Sequence, residues 1–122
     1  NESYKIEKEG VAHMPKKIEE LLKAYRGELE NATDYRVKKV ILYGSYARGD
    51  FRPDSDIDVM ILVDTDREGV SPLEKKICDV TYDFNDEYGT DIMPVVQSKA
   101  HFDYWKKADM FYRNVEKDGV II

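Results

Sequence analysis

Two short runs rich in β-branched residues constrain the fold of this chain more than any other feature. They are Val37 to Tyr43 (VKKVILY) and Asp56 to Val63 (DIDVMILV), and each predicts a strand. Gly44 ends the first run, and a polar loop leads to the second. The chain must therefore build a small sheet, and its 122 residues are enough for one domain only.

Helical spacing of apolar residues surrounds these strands. A helix is predicted after Pro15, and another from the capping box Ser71-Pro72-Leu73-Glu74 to Gly89. A third strand is predicted from Asp91 to Gln97, and Pro94 favours an edge position for it.

The C-terminal part of the chain follows the same pattern of helices and strands. Ser98 is predicted to cap one helix, and a last helix from Asp109 to Lys117 is predicted to end at a left-handed Gly119 before a short strand. Together these elements predict an α+β fold, a small mixed sheet packed with helices.

Composition excludes several classes of protein. No apolar run is long enough to span a bilayer, and a pI of about 5.0 makes direct nucleic-acid binding unexpected. Residues 1–14 are expected to be a polar leader without a signal core, and residues 15–122 the domain. The single cysteine, Cys78, is expected to be a buried filler and excludes an internal disulfide, so a cytoplasmic location is expected.

Negative charge is concentrated in the middle of the chain. The net charge is -6, but the segment from Asp50 to Asp91 carries -9 and the remainder +3. A ligand that carries phosphate groups would be repelled from this segment unless a metal ion intervened.

The loop between the first two strands carries the candidate site. Gly44-Ser45 directly follows a strand, where glycine allows a close backbone approach and a helix start offers N–H groups to phosphate oxygens. Ten residues after Ser45 come Asp56 and then Asp58, whose side chains share one face of a strand. Paired carboxylates of this kind are ligands that Mg²⁺ prefers.

Asp91 extends this candidate site. If the third strand lies beside the second, Asp91 joins the aspartate pair, and three carboxylates could hold two divalent ions for phosphoryl or nucleotidyl transfer.

The remaining candidates are expected to be structural. His13 and His101 are expected to be surface residues, because no ligand pattern surrounds them. The aromatic residues of the last two helices are expected to be core residues rather than a base-stacking platform, although part of this surface could bind a partner (Phe102, Trp105 and Phe111).

The segment GSYARGDFRPDSDIDVMILV, with Asp91-Ile92 after it, resembles the polymerase-β-like nucleotidyltransferase superfamily. More closely, it resembles the minimal nucleotidyltransferase (MNT) domain, the antitoxin half of HEPN/MNT toxin-antitoxin pairs. The resemblance covers about Val37 to Gln97, and the closing segment from Phe111 to Val120 is also similar to the end of such domains. It implies a nucleotidyltransferase fold and transfer of AMP from ATP to an acceptor hydroxyl. The implied acceptor is a tyrosine of a HEPN toxin, which makes the protein an AMPylase.

The resemblance also implies roles for individual residues. Gly44 and Ser45 would hold the triphosphate, and Ser55 would orient the Asp56 carboxylate. Arg48 would either neutralise the phosphates or form a surface ion pair with Asp50 or Asp54. Asp56 and Asp58 would bind two Mg²⁺ ions, and Asp91 would complete the site of the ion that activates the acceptor hydroxyl. Two alternatives stay open: a non-catalytic module that masks the toxin, and the catalytic subunit of a small-molecule nucleotidyltransferase of the aminoglycoside type.

Overall fold

Helices and strands alternate along the computed structural model, which describes residues 15–122. The helices are α1 (Lys16–Ala32), α2 (Ser45–Arg48), α3 (Val70–Tyr88), α4 (Lys99–Trp105) and α5 (Met110–Asp118). The strands are β1 (Val37–Tyr43), β2 (Ile57–Val63), β3 (Ile92–Ser98) and β4 (Val120–Ile121), and a 3₁₀ turn (Arg67–Gly69) precedes α3. The predicted leader, with His13, lies outside the described residues. No helix within residues 15–122 is long and apolar enough to cross a membrane.

The four strands form a mixed sheet in the order β3-β2-β1-β4, which confirms the predicted fold class. β1 runs antiparallel to β2 and β4, and β2 runs parallel to β3. The register pairs Tyr43 with Asp58 across β1 and β2, and Asp58 with Met93 across β2 and β3. The start of β2 therefore lies beside the end of β1 and the start of β3.

β3 is an edge strand, as Pro94 predicted, and the chain protects its free edge. The Ile57 N–H donates to the Asp91 carbonyl at 2.9 Å. Because only alternate residues of β3 bond to β2, Pro94 lies at a position whose backbone nitrogen faces the free edge, where no donor is needed. The Asn85 side chain covers Ile92, accepting from its N–H at 2.9 Å and donating to its carbonyl at 3.1 Å. The edge thus presents few free donors to another strand.

Helices cover both faces of the sheet but leave one corner open. α1 and α3 pack on the face that carries Leu42, Val59 and Ile61. α4 and α5 cover part of the other face, over Ile41 and Met60. β2 is buried at every position except Asp58, which is half-buried. The uncovered corner is therefore at Asp58.

Two predicted caps were wrong. α3 begins at Val70 after a turn in which the Asp66 carboxylate accepts from the Gly69 N–H at 2.9 Å, so Ser71 lies inside the helix. Gly119 has an extended backbone (φ -73°, ψ 151°), not a left-handed one. It is glycine for lack of space, because a Cβ there would overlap the Val115 carbonyl and the Ile41 side chain. By contrast, Gly89, where this helix was predicted to end, is its C-cap and has a left-handed backbone.

The expectation for Cys78 was also wrong, because its side chain is exposed on α3. Cys78 directly follows the buried Ile77. Successive residues of a helix point in different directions, so the Cys78 side chain lies outside the apolar stripe of α3. The expectation for His101 is confirmed, since it is an exposed residue of α4.

A buried hydrogen-bond pair joins α1 to α3, and a double substitution tests it. The Thr81 hydroxyl donates to the Ile77 carbonyl at 2.7 Å, so the Tyr25 hydroxyl donates to Thr81 at 2.6 Å. Thr81→Val leaves the buried Tyr25 hydroxyl without an acceptor, which should cost about 1 to 3 kcal/mol, whereas Tyr25→Phe should cost about 1 kcal/mol. We expect the double variant, measured by urea unfolding, to be less destabilised than the sum of the two. Additive losses would contradict the coupling.

Candidate functional site

A cleft of about 440 Å³ occupies the open corner of the sheet. The end of β1, the start of α2, the start of β2 and one side of α5 border it. The residues that line it are Tyr43, Gly44, Ser45, Arg48, Ser55, Asp56, Asp58, Phe111, Asn114, Val115 and Asp118. The fold thus brings five of the predicted site residues together, namely Gly44, Ser45, Arg48, Asp56 and Asp58.

Gly44 lies against the Asp58 carboxylate because the register pairs its neighbour Tyr43 with Asp58. A Cβ on Gly44 would lie 2.5 Å from Asp58 Oδ2, and the backbone has φ +77° and ψ -154°, a region that only glycine readily adopts. Both conditions require glycine here. The strand-to-helix turn therefore brings its backbone into direct contact with the second aspartate.

The short helix α2 presents Ser45 and Arg48 to the cleft. The Gly44 carbonyl accepts from the N–H groups of Ala47 and Arg48, both at 3.1 Å, and Gly49 ends the turn with φ +86°. The Tyr46 ring stacks on Phe51 with 4.3 Å between centroids. This stacking fixes α2 against the loop that leads to Asp56.

The environment of Asp58 disfavours its charged form. Burial raises the pKa of Asp58, the Asp56 charge raises it further, and the Arg48 guanidinium lowers it. Burial, and then the Asp58 charge, raise the pKa of Tyr43. The carboxylate pair therefore favours a cation in the cleft.

Arg48 forms the predicted surface ion pair and also borders the cleft. Its Nε lies 3.3 Å from Asp50 Oδ2, and both side chains are at least half exposed, so this ion pair contributes little stability. The same guanidinium lines the cleft and acts on Asp58. It is thus placed to meet an anionic ligand.

Asp91 lies at the same edge of the sheet but is not among the residues that line the cleft. It is exposed and directly precedes β3. The register pairs Ile57 with Ile92, so Asp91 precedes β3 at the position where Asp56 precedes β2. Residues 15–122 contain no group of three or more histidine, cysteine, aspartate or glutamate side chains placed to hold a metal ion. A role for Asp91 stays a prediction.

The donor set in the cleft fits Mg²⁺ in kind. Asp56 and Asp58 offer hard oxygen ligands, and Mg²⁺ is commonly held by one or two carboxylates while water and substrate phosphate complete its shell. Their mutual repulsion would be relieved by a divalent cation.

Ser55 has a different contact from the one predicted. Its hydroxyl accepts from the Arg52 N–H at 2.7 Å, while its own N–H donates to the Arg52 carbonyl at 3.0 Å. These bonds close the turn that immediately precedes Asp56. The structure gives Ser55 a bond to the loop backbone instead of to the Asp56 carboxylate.

One wall of the cleft was missed by the sequence analysis. Phe111, Asn114, Val115 and Asp118 follow helical spacing along α5, and we call them the α5 wall. Phe111 was expected in the core, but it is 43% exposed and meets the Tyr43 ring edge-on at 5.6 Å. Trp105 is likewise 46% exposed, whereas Phe102 is buried as expected. One signal in the sequence could have indicated this wall. Asn114 and Asp118 lie on the same helical stripe as Val115, and polar residues there argue against a face that is wholly core.

Comparison with known proteins agrees with this fold. A family model described as "Nucleotidyltransferase domain" matches residues 18–122, so the chain belongs to the nucleotidyltransferase domain family. It is 36% identical over 105 residues to "Putative protein adenylyltransferase MJ0604" of Methanocaldococcus jannaschii, covering 85% of this chain and 96% of that protein. It is 34% identical over 84 residues to "Putative protein adenylyltransferase MJ0141" of the same organism, covering 68% and 82%. These similarities support a transferase that acts in nucleotidyl transfer.

Proposed function

We propose that this protein is a Mg²⁺-dependent adenylyltransferase that moves AMP from ATP to a hydroxyl of another protein. The observation that carries the proposal is the single cleft in which the Gly44-Ser45 turn, Arg48 and the Asp56 and Asp58 pair meet. The names of the two similar archaeal proteins support a protein acceptor.

The finer proposal is that the acceptor is a tyrosine of a cognate HEPN toxin and that AMPylation silences the toxin. It is supported by the resemblance of the segment from Gly44 to Val63 to MNT antitoxins. The net charge of -6 also favours contact with a basic protein over contact with RNA.

In the proposed reaction, the acceptor oxygen forms a bond to the α-phosphorus while the bond to the bridging oxygen breaks, and pyrophosphate leaves. Ser45 and the Gly44 backbone hold the triphosphate, and Arg48 offsets its charge. Asp56 and Asp58 would hold Mg²⁺, which supplies charge neutralisation at the phosphates when bound. Asp91, at the same sheet edge, is the proposed third acid and accepts the acceptor proton.

The test is incubation of the purified protein with labelled ATP, Mg²⁺ and the product of the adjacent gene, followed by intact mass of both proteins. We expect one or more AMP units on the neighbour, located on a tyrosine by peptide mapping. Asp91→Asn should greatly reduce the increment if the third acid takes part. ATP binding and a tight complex without an increment would favour the masking module, and turnover of an aminoglycoside would favour the small-molecule enzyme.

Arg48→Ala provides a separate test of the phosphate-binding end. We expect it to weaken ATP binding about tenfold in calorimetric titration, because a charge-assisted contact is lost. Asp50→Asn removes only the exposed partner of Arg48 and should change ATP affinity by less than about twofold. Equal affinities of the wild type and Arg48→Ala would contradict the role of Arg48.

A further inference from the structure

The cleft has two chemically different ends. One end carries the Gly44-Ser45 turn, the aspartate pair and Arg48, which alone is cationic among the described residues that line the cleft. The other end is the α5 wall, which offers an aromatic ring, a carboxamide, an aliphatic side chain and a carboxylate. The proposed function uses only the first end.

This difference fixes the direction in which a nucleotide would lie. At about 440 Å³, the cleft is within the range of pockets that enclose a single small ligand. Phosphates favour the end with Arg48, whereas Asp118 adds negative charge to the α5 wall and disfavours phosphate there. The uncharged part of the ligand is left to face α5.

The α5 wall has the groups that a nucleoside requires. Phe111 leaves 43% of its surface exposed, and its edge-on contact with Tyr43 holds the ring in place. Aromatic faces of this kind stack with bases. Asn114 is exposed and lines the cleft, so its carboxamide presents both a donor and an acceptor. The Asp118 carboxylate can accept hydrogen bonds from ribose hydroxyls.

The helix α5 is held firmly in place. Val115, one residue after Asn114, is 1% exposed and packs in the core beneath α5. The Asp109 carboxylate caps the helix by accepting from the Tyr112 N–H at 3.1 Å. The anchored helix therefore holds Phe111 and Asn114 at fixed positions over the cleft, which reduces the entropy lost when a ligand binds.

We propose that the α5 wall binds the nucleoside end of the nucleotide, with Phe111 stacking on the base and Asn114 reading its hydrogen-bonding edge. This inference rests on the proposed function and extends it, because it assigns nucleotide selection to a helix distant in sequence from the aspartate pair. Tyr43 is a positioning residue in this scheme, since it supports Phe111.

Binding of two probes, ATP and inorganic tripolyphosphate, tests the assignment, each titrated with Mg²⁺. Phe111→Ala should weaken ATP binding roughly tenfold or more and leave tripolyphosphate binding unchanged. Asn114→Ala should weaken ATP binding several-fold and bring the affinities for ATP and GTP closer together. Met110→Ala is the matched control, because Met110 is 71% exposed on the same helix and does not line the cleft.

The outcomes separate the inference from the proposed function. Wild-type binding of ATP that neither Phe111→Ala nor Asn114→Ala alters would overturn the inference and leave the proposed function standing. Equal loss of ATP and tripolyphosphate binding, with a lowered unfolding midpoint, would show a structural role and also overturn it. Failure of the wild type to bind either probe would overturn the proposed function together with the inference.

Discussion

The double variant Asp56→Asn with Asp58→Asn should lose adenylyl transfer by roughly a thousandfold or more, the scale on which principal charge-stabilising groups act. Its fold should be as stable as the wild type or slightly more stable. The reason is that burial and the Asp56 charge raise the pKa of Asp58, which shows that the folded state disfavours its charged form. Asparagine keeps the shape of the side chain and removes that charge. Transfer from labelled ATP and the thermal unfolding midpoint measure the two effects.

Asp83→Asn with Asp86→Asn is the matched control for this variant. Both residues are exposed on α3, within the same acidic segment but outside the residues that line the cleft. The control changes the net charge by the same amount, so near-normal transfer is expected from it. A double cleft variant that retained transfer, or that unfolded, would refute the assignment of Asp56 and Asp58.

Gly44→Ala should be the most damaging single substitution in the cleft. The backbone at Gly44 lies in a region that costs other residues about 1 to 3 kcal/mol. The new Cβ would also lie 2.5 Å from Asp58 Oδ2, so either the turn or the carboxylate must move. Misplacing a group at a reacting centre costs about a hundredfold in rate, and we expect at least that loss of adenylyl transfer. Urea unfolding and the transfer assay measure the two losses.

Two other glycines separate the causes of this loss. Gly89→Ala meets nothing within 4 Å but keeps φ +65°, so it should cost about 1 to 2 kcal/mol and leave transfer unchanged. Gly27→Ala also meets nothing within 4 Å, and it lies inside α1, so it should stabilise the protein by about 0.5 to 1 kcal/mol. If Gly44→Ala behaved like Gly89→Ala in both assays, the close approach to Asp58 would have no part in activity.

The parts of the site that lie close together in sequence could be predicted. Residues 44–58 turn from β1 into the neighbouring antiparallel β2, so chain connectivity alone brings Gly44 back to Asp58. β1 has the predicted bounds, and the main helices and strands lie within a few residues of theirs. The wrong caps, at Ser71 and Gly119, depended on hydrogen bonds and space supplied by neighbouring residues.

The mixed α+β fold follows from the sequence pattern, because apolar periods of two and of 3.6 residues identify strands and helices without knowledge of their neighbours. The local turn from Gly44 to Asp58 follows from it too, and this turn builds one half of the cleft. The other half of the cleft depends on how segments distant in sequence pack together. Helical spacing marks a stripe on α5 but cannot say whether Phe111 meets a core or a cleft. The β2-β3 register, set across the long α3 connection, pairs Ile57 with Ile92, the residues that follow Asp56 and Asp91.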